Sequence, residues 1–265
     1  MARFSKQGQS LLILVAAAAI AVAACGSSSN TNAPGGTGSN GGGLIGTAKP
    51  TLNGGGGGDG GGLGGAAASL DNLDSYKFSM TLAGGTWGST LSMFGGAGAT
   101  GNAPFTMTGT IVAKPDKAAD VVLGGFHIIE VNGTDYIDMG TGSFMSTPVS
   151  GSGMADTFSP STMFSSMIGS TTTGYDKVGT EQKNGVGADH YKGNEAVYSQ
   201  LDRYSGVSNA TWTADVWIAT SGGYPVSMAI IGTSGGQIVY ETAFDLTNIN
   251  DPANKVTAPT NVLTP

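Results

Sequence analysis

The sequence predicts an α+β domain: one antiparallel β-sheet with a few short helices laid against one side. Three observations lead there. Successive short segments alternate apolar and polar residues with the period-two pattern of half-buried strands, as in "SYKFSMTLAG" (75–84), where Tyr76, Phe78, Met80 and Leu82 alternate with Ser75, Lys77, Ser79 and Thr81. Glycine or asparagine turns separate most of these segments: "LGG" at 123–125, "NGT" at 132–134 and "SGG" at 221–223 and 234–236. Turns this short join hairpins and meanders rather than crossover units. Finally, only three stretches carry a helical apolar stripe.

Taken in order, residues 66–74 form the first helix, with Leu70 and Leu73 inward, and lead into the strand at 75–84. "PFTMTGTIVA" (104–113) is the next strand, with Phe105, Met107 and Ile111 on one face and Thr106, Thr108 and Thr110 on the other. Further strands fall at 118–124, 126–131, 134–139, 186–192, 211–219, 224–231 and 237–246. A second helix, 160–168, starts with Pro160 in its first turn and carries Met163, Phe164, Met167 and Ile168 as an apolar stripe. The third, 195–205, has Asn194 as N-cap, Val197, Leu201 and Tyr204 on one face, and Gly206 as its stop.

Upstream of this domain the sequence changes character. Arg3 and Lys6 precede the apolar run "LLILVAAAAIAVAA" (11–24), too short for the roughly 20 residues of a spanning helix. It reads as a signal-peptide core over residues 1–24. The run ends in "VAAC", Val22 to Cys25, which resembles a bacterial lipobox. That resemblance implies that Cys25 is acylated and becomes the mature N-terminus, with more than one acyl chain for stable anchoring. Residues 26–65 hold eighteen glycines in forty residues and no hydrophobic period. From Cys25 to residue 65 the chain is thus a flexible tether, with an r.m.s. span of roughly 35 Å. The folded domain is expected over 66–265.

Composition narrows the chemistry. Cys25 is the only cysteine, so acylation leaves no thiol for a disulfide, a thiolate nucleophile or a zinc site. The formal charge is −7, and loss of Arg3 and Lys6 makes the chain more acidic still, a poor match for nucleic acid. Charged residues make up 11% of the chain, against roughly 25% in ordinary soluble domains. No metal-ligand spacing is present, so neither a metal nor a cofactor is implied. Asp189 and His190 are neighbours on a predicted strand and point to opposite faces, so they do not make a catalytic pair. "GTSGG" (232–236) matches the pattern around a nucleophilic serine at Ser234 but joins two strands, where a hairpin turn explains it. The G-x-G-x-x-G matches at Gly60, Gly62, Gly65 and at Gly96, Gly98, Gly101 lack the strand-then-helix context of a dinucleotide site. No catalytic residues are expected; a hydrolase using Ser234 or His190 is the reading set aside.

What stands out is large apolar side chains on a chain poor in charge. Phe78, Met80, Phe105, Met107, Phe126, Ile128 and Trp217 on strands, with Met163, Phe164 and Met167 on a helix, either pack a core or line an apolar ligand cavity. The phrases "LDNLDSYKFSM" (70–80), "VNGTDYID" (131–138), "VGTEQKNGVGADHYKG" (178–193), "ADVWIATSGGYPVSM" (214–228) and "FDLTNINDP" (244–252) point further. Together, over residues 66–260, they resemble the bacterial lipoproteins of the LppX/LprG type, relatives in fold of the LolA and LolB lipoprotein carriers. The resemblance implies a strongly curved antiparallel sheet, a half-barrel, with short helices closing its concave side over a hydrophobic cavity. It also implies a role in binding or moving acyl lipids across the envelope, with either His190 or Tyr191 facing the concave side. The leading expectation is a lipid-anchored extracytoplasmic carrier, monomeric and without catalysis; the alternative is an envelope interaction module with a solid core.

Overall fold

The structure is a computed structural model that describes residues 63, 65–86, 104–153, 156, 159–162, 164 and 174–263. The signal peptide, Cys25, most of the tether, both G-x-G-x-x-G matches except Gly65, and Met163, Met167 and Ile168 lie outside the described residues.

Residues 56–265 form one compact unit. Its frame is a single eleven-stranded antiparallel sheet: β1 (Ser75–Gly84), β2 (Phe105–Val112), β3 (Ala118–Leu123), β4 (Phe126–Val131), β5 (Thr134–Asp138), β6 (Met145–Pro148), β7 (Tyr175–Lys183), β8 (Val186–Gly193), β9 (Thr211–Ala219), β10 (Pro225–Ser234) and β11 (Gln237–Thr247). The spatial order is β6-β5-β4-β3-β2-β1-β11-β10-β9-β8-β7. Two meanders therefore grow outward from the middle, where the first and last strands pair, Phe78 with Leu246 and Met80 with Phe244. The outer strands β6 and β7 are not paired to each other, so the sheet stays an open, curved half-barrel rather than a closed barrel. Register shifts at Lys177/Gly179, Pro225/Ser227 and Gly232/Thr233 are the bulges that bend such a sheet.

Every strand read from the sequence is present, most within a residue of its expected ends. The two that sequence patterning missed, β6 and β7, form the edges. β6 is four exposed residues ending in Pro148, and β7 buries only Tyr175. An edge strand wetted on both faces has no apolar alternation to detect.

Helices are few and short. α1 (Ala66–Ser69) gives way to a 3-10 turn, Leu70–Asn72, and the backbone is extended by Leu73. The helix expected over 66–74 is thus cut short, yet both leucines are buried. α2 (Glu195–Tyr204) forms as the sequence predicts: the Asn194 side chain accepts from the Ala196 N–H, and Gly206 follows with φ 72°. Pro160, Ser161, Thr162 and Phe164 are helical, in the second expected helix.

The core lies on the concave face. Met80, Met107, Val121, Val216, Met228, Phe244 and Leu246 are each at most 1% exposed there. Two glycines on this face are required by packing. A Cβ on Gly109 would lie 2.6 Å from the Phe78 ring and 2.7 Å from the Asp120 carbonyl oxygen, and one on Gly232 would lie 2.7 Å from the Trp212 indole. Each ring occupies the space that its cross-sheet neighbour leaves empty. The opposite, convex face is covered only in part, where the C-terminal Val256 and Val262 pack against Ile129, Val131 and Phe144.

Gly109→Ala and Gly232→Ala are each expected to lower the free energy of unfolding by about 1–3 kcal/mol, the usual range for overpacking. Gly179→Ala, whose Cβ meets nothing within 4 Å, is the control and should stay within about 0.5 kcal/mol of the parent. Denaturant unfolding of the three variants measures this.

Candidate functional site

The concave face is an apolar surface roofed by three short helical pieces. Directly opposed strand residues share a face, so Tyr76–Ile111, Met80–Met107, Met107–Leu123, Val121–Ile128 and Ile128–Ile137 continue it across β1 to β5. On the other side Met80–Phe244, Met228–Phe244 and Met228–Val216 carry it to β9. Leu70 from the 3-10 turn, Phe164 from the 160–164 stretch and Val197 from α2 come down onto it. Phe164 meets Phe244 at a ring separation of 5.7 Å and an angle of 58°.

Seven of the residues singled out in the sequence lie together here. Phe78, Met80, Met107, Ile128 and Phe164 are buried in one cluster, and Phe105 packs against it. Phe126, opposite Leu123, is half-buried at the same surface. Met163 and Met167 lie outside the described residues. Trp217 is a correction: it pairs with His190 and Ser227 on the convex face, while its neighbours Val216 and Ile218 face the core. The period of two that makes β9 a strand puts the tryptophan on the far side from the valine and isoleucine.

The same alternation resolves the Asp189–His190 question. Tyr191, opposite Val216, faces the concave side, and His190 faces the convex one. Asp189 is held on the concave side by Lys177 at 2.8 Å and by the Thr180 hydroxyl at 2.6 Å. His190 instead lies between two other carboxylates, Asp215 at 2.7 Å from Nε2 and Glu181 at 3.2 Å from Nδ1. It stacks on Trp217 at 4.4 Å, the indole N–H donates to Glu181 at 2.6 Å, and Lys183 Nζ lies 4.1 Å above the indole. This cluster ties edge strand β7 to β8 and β9. The other histidine, His127, meets Asp120 at 2.8 Å across β4 and β3. Ser234 ends β10 in an exposed hairpin whose turn residues, Gly235 and Gly236, have φ 58° and 77°. Positive φ at both centres is what a type I′ turn requires, so the turn accounts for "GTSGG".

One feature escaped the sequence reading. A cleft of about 520 Å³ opens beside the concave core, between the 3-10 turn, the β2–β3 connection and Ser152, Asp156, Ser159, Ser161 and Thr162. Leu70, Tyr76, Ile111 and Ala119 belong both to its wall and to the core cluster. Asp71, Lys117, Asp156 and residues Ser152, Ser159, Ser161 and Thr162 supply its polar lining, with Ala113 and Ala118 completing it. These polar residues are scattered over ninety positions and share no motif. Among the described residues no group of three His, Cys, Asp or Glu side chains is placed to hold a metal ion, and no helix is long and apolar enough to cross a membrane.

No protein-family model matches the chain, and no curated protein matches it. Among solved structures it is similar to LprF from Mycobacterium bovis, at 14% identity over 74% of this chain and 94% of that one, with a TM-score of 0.41. It is also similar to the lipoprotein LppX from Mycobacterium tuberculosis, at 16% identity over 71% and 93% of the two chains and a TM-score of 0.37. A LolA-superfamily protein from Nitrosomonas europaea matches at 10% identity over 74% and 94%, with a TM-score of 0.24. The fold itself is defined by the sheet order and register given above.

Asp189 offers a pH test of the β7 edge. Partial burial pushes its carboxyl up, but hydrogen bonds from Lys177 and Thr180 and the ammonium charge outweigh this and hold its pKa below the ordinary value. A group whose folded pKa is lowered contributes fully above the unfolded value and loses its contribution as pH falls through the folded one. The gap in melting temperature between the parent and Asp189→Asn should therefore be present at about pH 7 and close below about pH 3. An undiminished gap in acid would remove the charged interaction from the account.

Proposed function

We propose that the protein is a membrane-anchored extracytoplasmic lipoprotein that binds or carries an apolar ligand, a lipid, without catalysis. The observation that carries this reading is the kind of roof the concave face has. A half-barrel with an apolar inner surface is covered by short helical pieces, each reaching the core through a few side chains, rather than by a second sheet bonded along its length. Such a cover can shift and leave the sheet intact, and the exposed apolar surface would then accept an acyl chain of matching width. Methionines 80, 107 and 228 at the centre of the face are flexible enough to repack around it. Acylation of Cys25 and the glycine-rich tether would hold the domain within reach of a bilayer that supplies the ligand. Both histidines are engaged by carboxylates on the convex face, away from the apolar surface.

A second reading has an observation of its own. Met80, Met107, Met228, Phe164 and Phe244 are at most 1% exposed, so protein side chains pack the space under Phe164. That favours an envelope interaction module with a solid core.

The two readings separate on one pair of measurements. Full-length protein purified from its native membrane is expected to release a lipid in near-stoichiometric amount on solvent extraction, read by mass spectrometry. Phe164→Ala is expected to cost about 3–5 kcal/mol of stability if the core is solid, with no gain of ligand. In the carrier reading the vacated space takes up an apolar fluorescent probe several-fold better than the parent does, and added lipid restores the lost stability. No extractable lipid together with no gain in probe binding overturns the carrier.

A further inference from the structure

Two hairpin turns of the sheet share a sequence and a backbone shape but not their surroundings. Asn132-Gly133 joins β4 to β5 between the paired residues Val131 and Thr134, and Asn184-Gly185 joins β7 to β8 between Lys183 and Val186. The φ angles are 54° and 70° in the first turn and 51° and 80° in the second, the type I′ form in both. In an Asn-Gly pair the glycine nitrogen lies next along the chain to the side-chain carbonyl carbon, with no Cβ to shield it. Both glycines stand in open space, since a Cβ on either would meet nothing within 4 Å. Among the turn and loop hydrogen bonds of the described residues, neither glycine N–H is a donor.

The asparagine side chains differ. Asn184 Nδ2 donates to the Asp245 carboxylate at 2.9 Å and to the backbone carbonyls of Leu246 at 3.2 Å and Val226 at 3.4 Å. The amide is thus held on β10 and β11 by its nitrogen. A carboxylate in its place would face three acceptors with no donor among them. Asn132 is exposed, and no group among the described residues holds its amide.

We propose that Asn132 is a site of spontaneous covalent modification, deamidation through a cyclic imide, and that the fold withholds the same reaction from Asn184. The Gly133 nitrogen bonds to the side-chain carbonyl carbon of Asn132. The bond from that carbon to Nδ2 breaks, and ammonia leaves with the proton from the Gly133 N–H. Water then opens the five-membered imide: at the side-chain carbonyl it gives aspartate, and at the main-chain carbonyl it gives isoaspartate. Nothing is oxidised or reduced, and water is the one co-reactant. Isoaspartate lengthens by one carbon a loop whose length sets the register of its strands. The Gly133 carbonyl, which accepts from the Val149 N–H at 2.9 Å just beyond β6, would shift with it. The mark therefore acts on the outer strands β5 and β6, whether or not the concave face takes a ligand.

The chain has two further Asn-Gly pairs, Asn40-Gly41 and Asn53-Gly54, outside the described residues, so the test reads each site separately. Full-length protein is aged in mildly alkaline buffer and digested, and the amide-to-acid mass shift at each asparagine is followed by peptide mass spectrometry. Asn132 is expected to convert at least about tenfold faster than Asn184, the factor that holding an amide by one or two hydrogen bonds takes from a rate. In urea-unfolded protein the two sites are expected to convert at similar rates, which assigns the difference to the fold. Asp245→Ala, with its folded state checked by its unfolding curve, is expected to speed Asn184 several-fold and leave Asn132 unchanged. Equal rates at the two sites in the folded protein overturn the proposal. So does an Asn132 that stays intact when folded yet converts when unfolded. A rate at Asn184 unmoved by Asp245→Ala overturns the protection assigned to its amide bonds.

Discussion

The concave face depends on aromatic rings that lie where a neighbouring strand has no side chain. Phe78 fills the space above Gly109, and Trp212 fills the space above Gly232. Either glycine replaced by a larger residue would push its ring out of the sheet and into the roof. The apolar layer is closed by a few residues from each short helical piece, among them Leu70, Phe164 and Val197.

The two faces divide the work. The concave side gathers the large apolar side chains and, at its margin, the cleft with its polar lining. The convex side carries a cluster of charged side chains at one end and uses it structurally. Glu181 on the outermost strand receives the Trp217 indole N–H and faces His190, which in turn holds Asp215. Edge strands are exposed to unwanted pairing, and a bulge and charged side chains are common protections. β7 has both, a bulge beside Lys177 and the ion pair of Lys177 with Asp189.

Much of this was legible in the sequence, for a physical reason. A strand half-buried against a core must alternate, and "SYKFSMTLAG" does so because β1 lies at the centre of the sheet with one face covered. β7 does not alternate because neither face is covered, although Asn184-Gly185, with φ of 51° and 80°, was a hairpin signal that pointed to a strand on each side. Alternation also settled that Asp189 and His190 part company. It was not applied to Trp217, whose neighbours Val216 and Ile218 claim the inner face. Partners across strands were hidden for a different reason: Glu181, His190 and Asp215 meet only once register is fixed, and register follows from bulges and turns that no single segment reveals. The cleft was hidden similarly, since its polar residues come from three connections rather than from one motif.

The pairing of the first strand with the last has a temporal consequence. Each meander can form from neighbouring hairpins, but the central ladder joins Lys77 to Thr247 and closes almost the whole domain as a loop. Such long closure is slow, and it requires β11, one of the last elements to be made. A chain made N-terminus first can pair β1 with β2 early, but the other edge of β1 stays open until β11 arrives. The half-barrel is therefore built to complete itself only once its last strand has been made, with the sheet sealed at its middle.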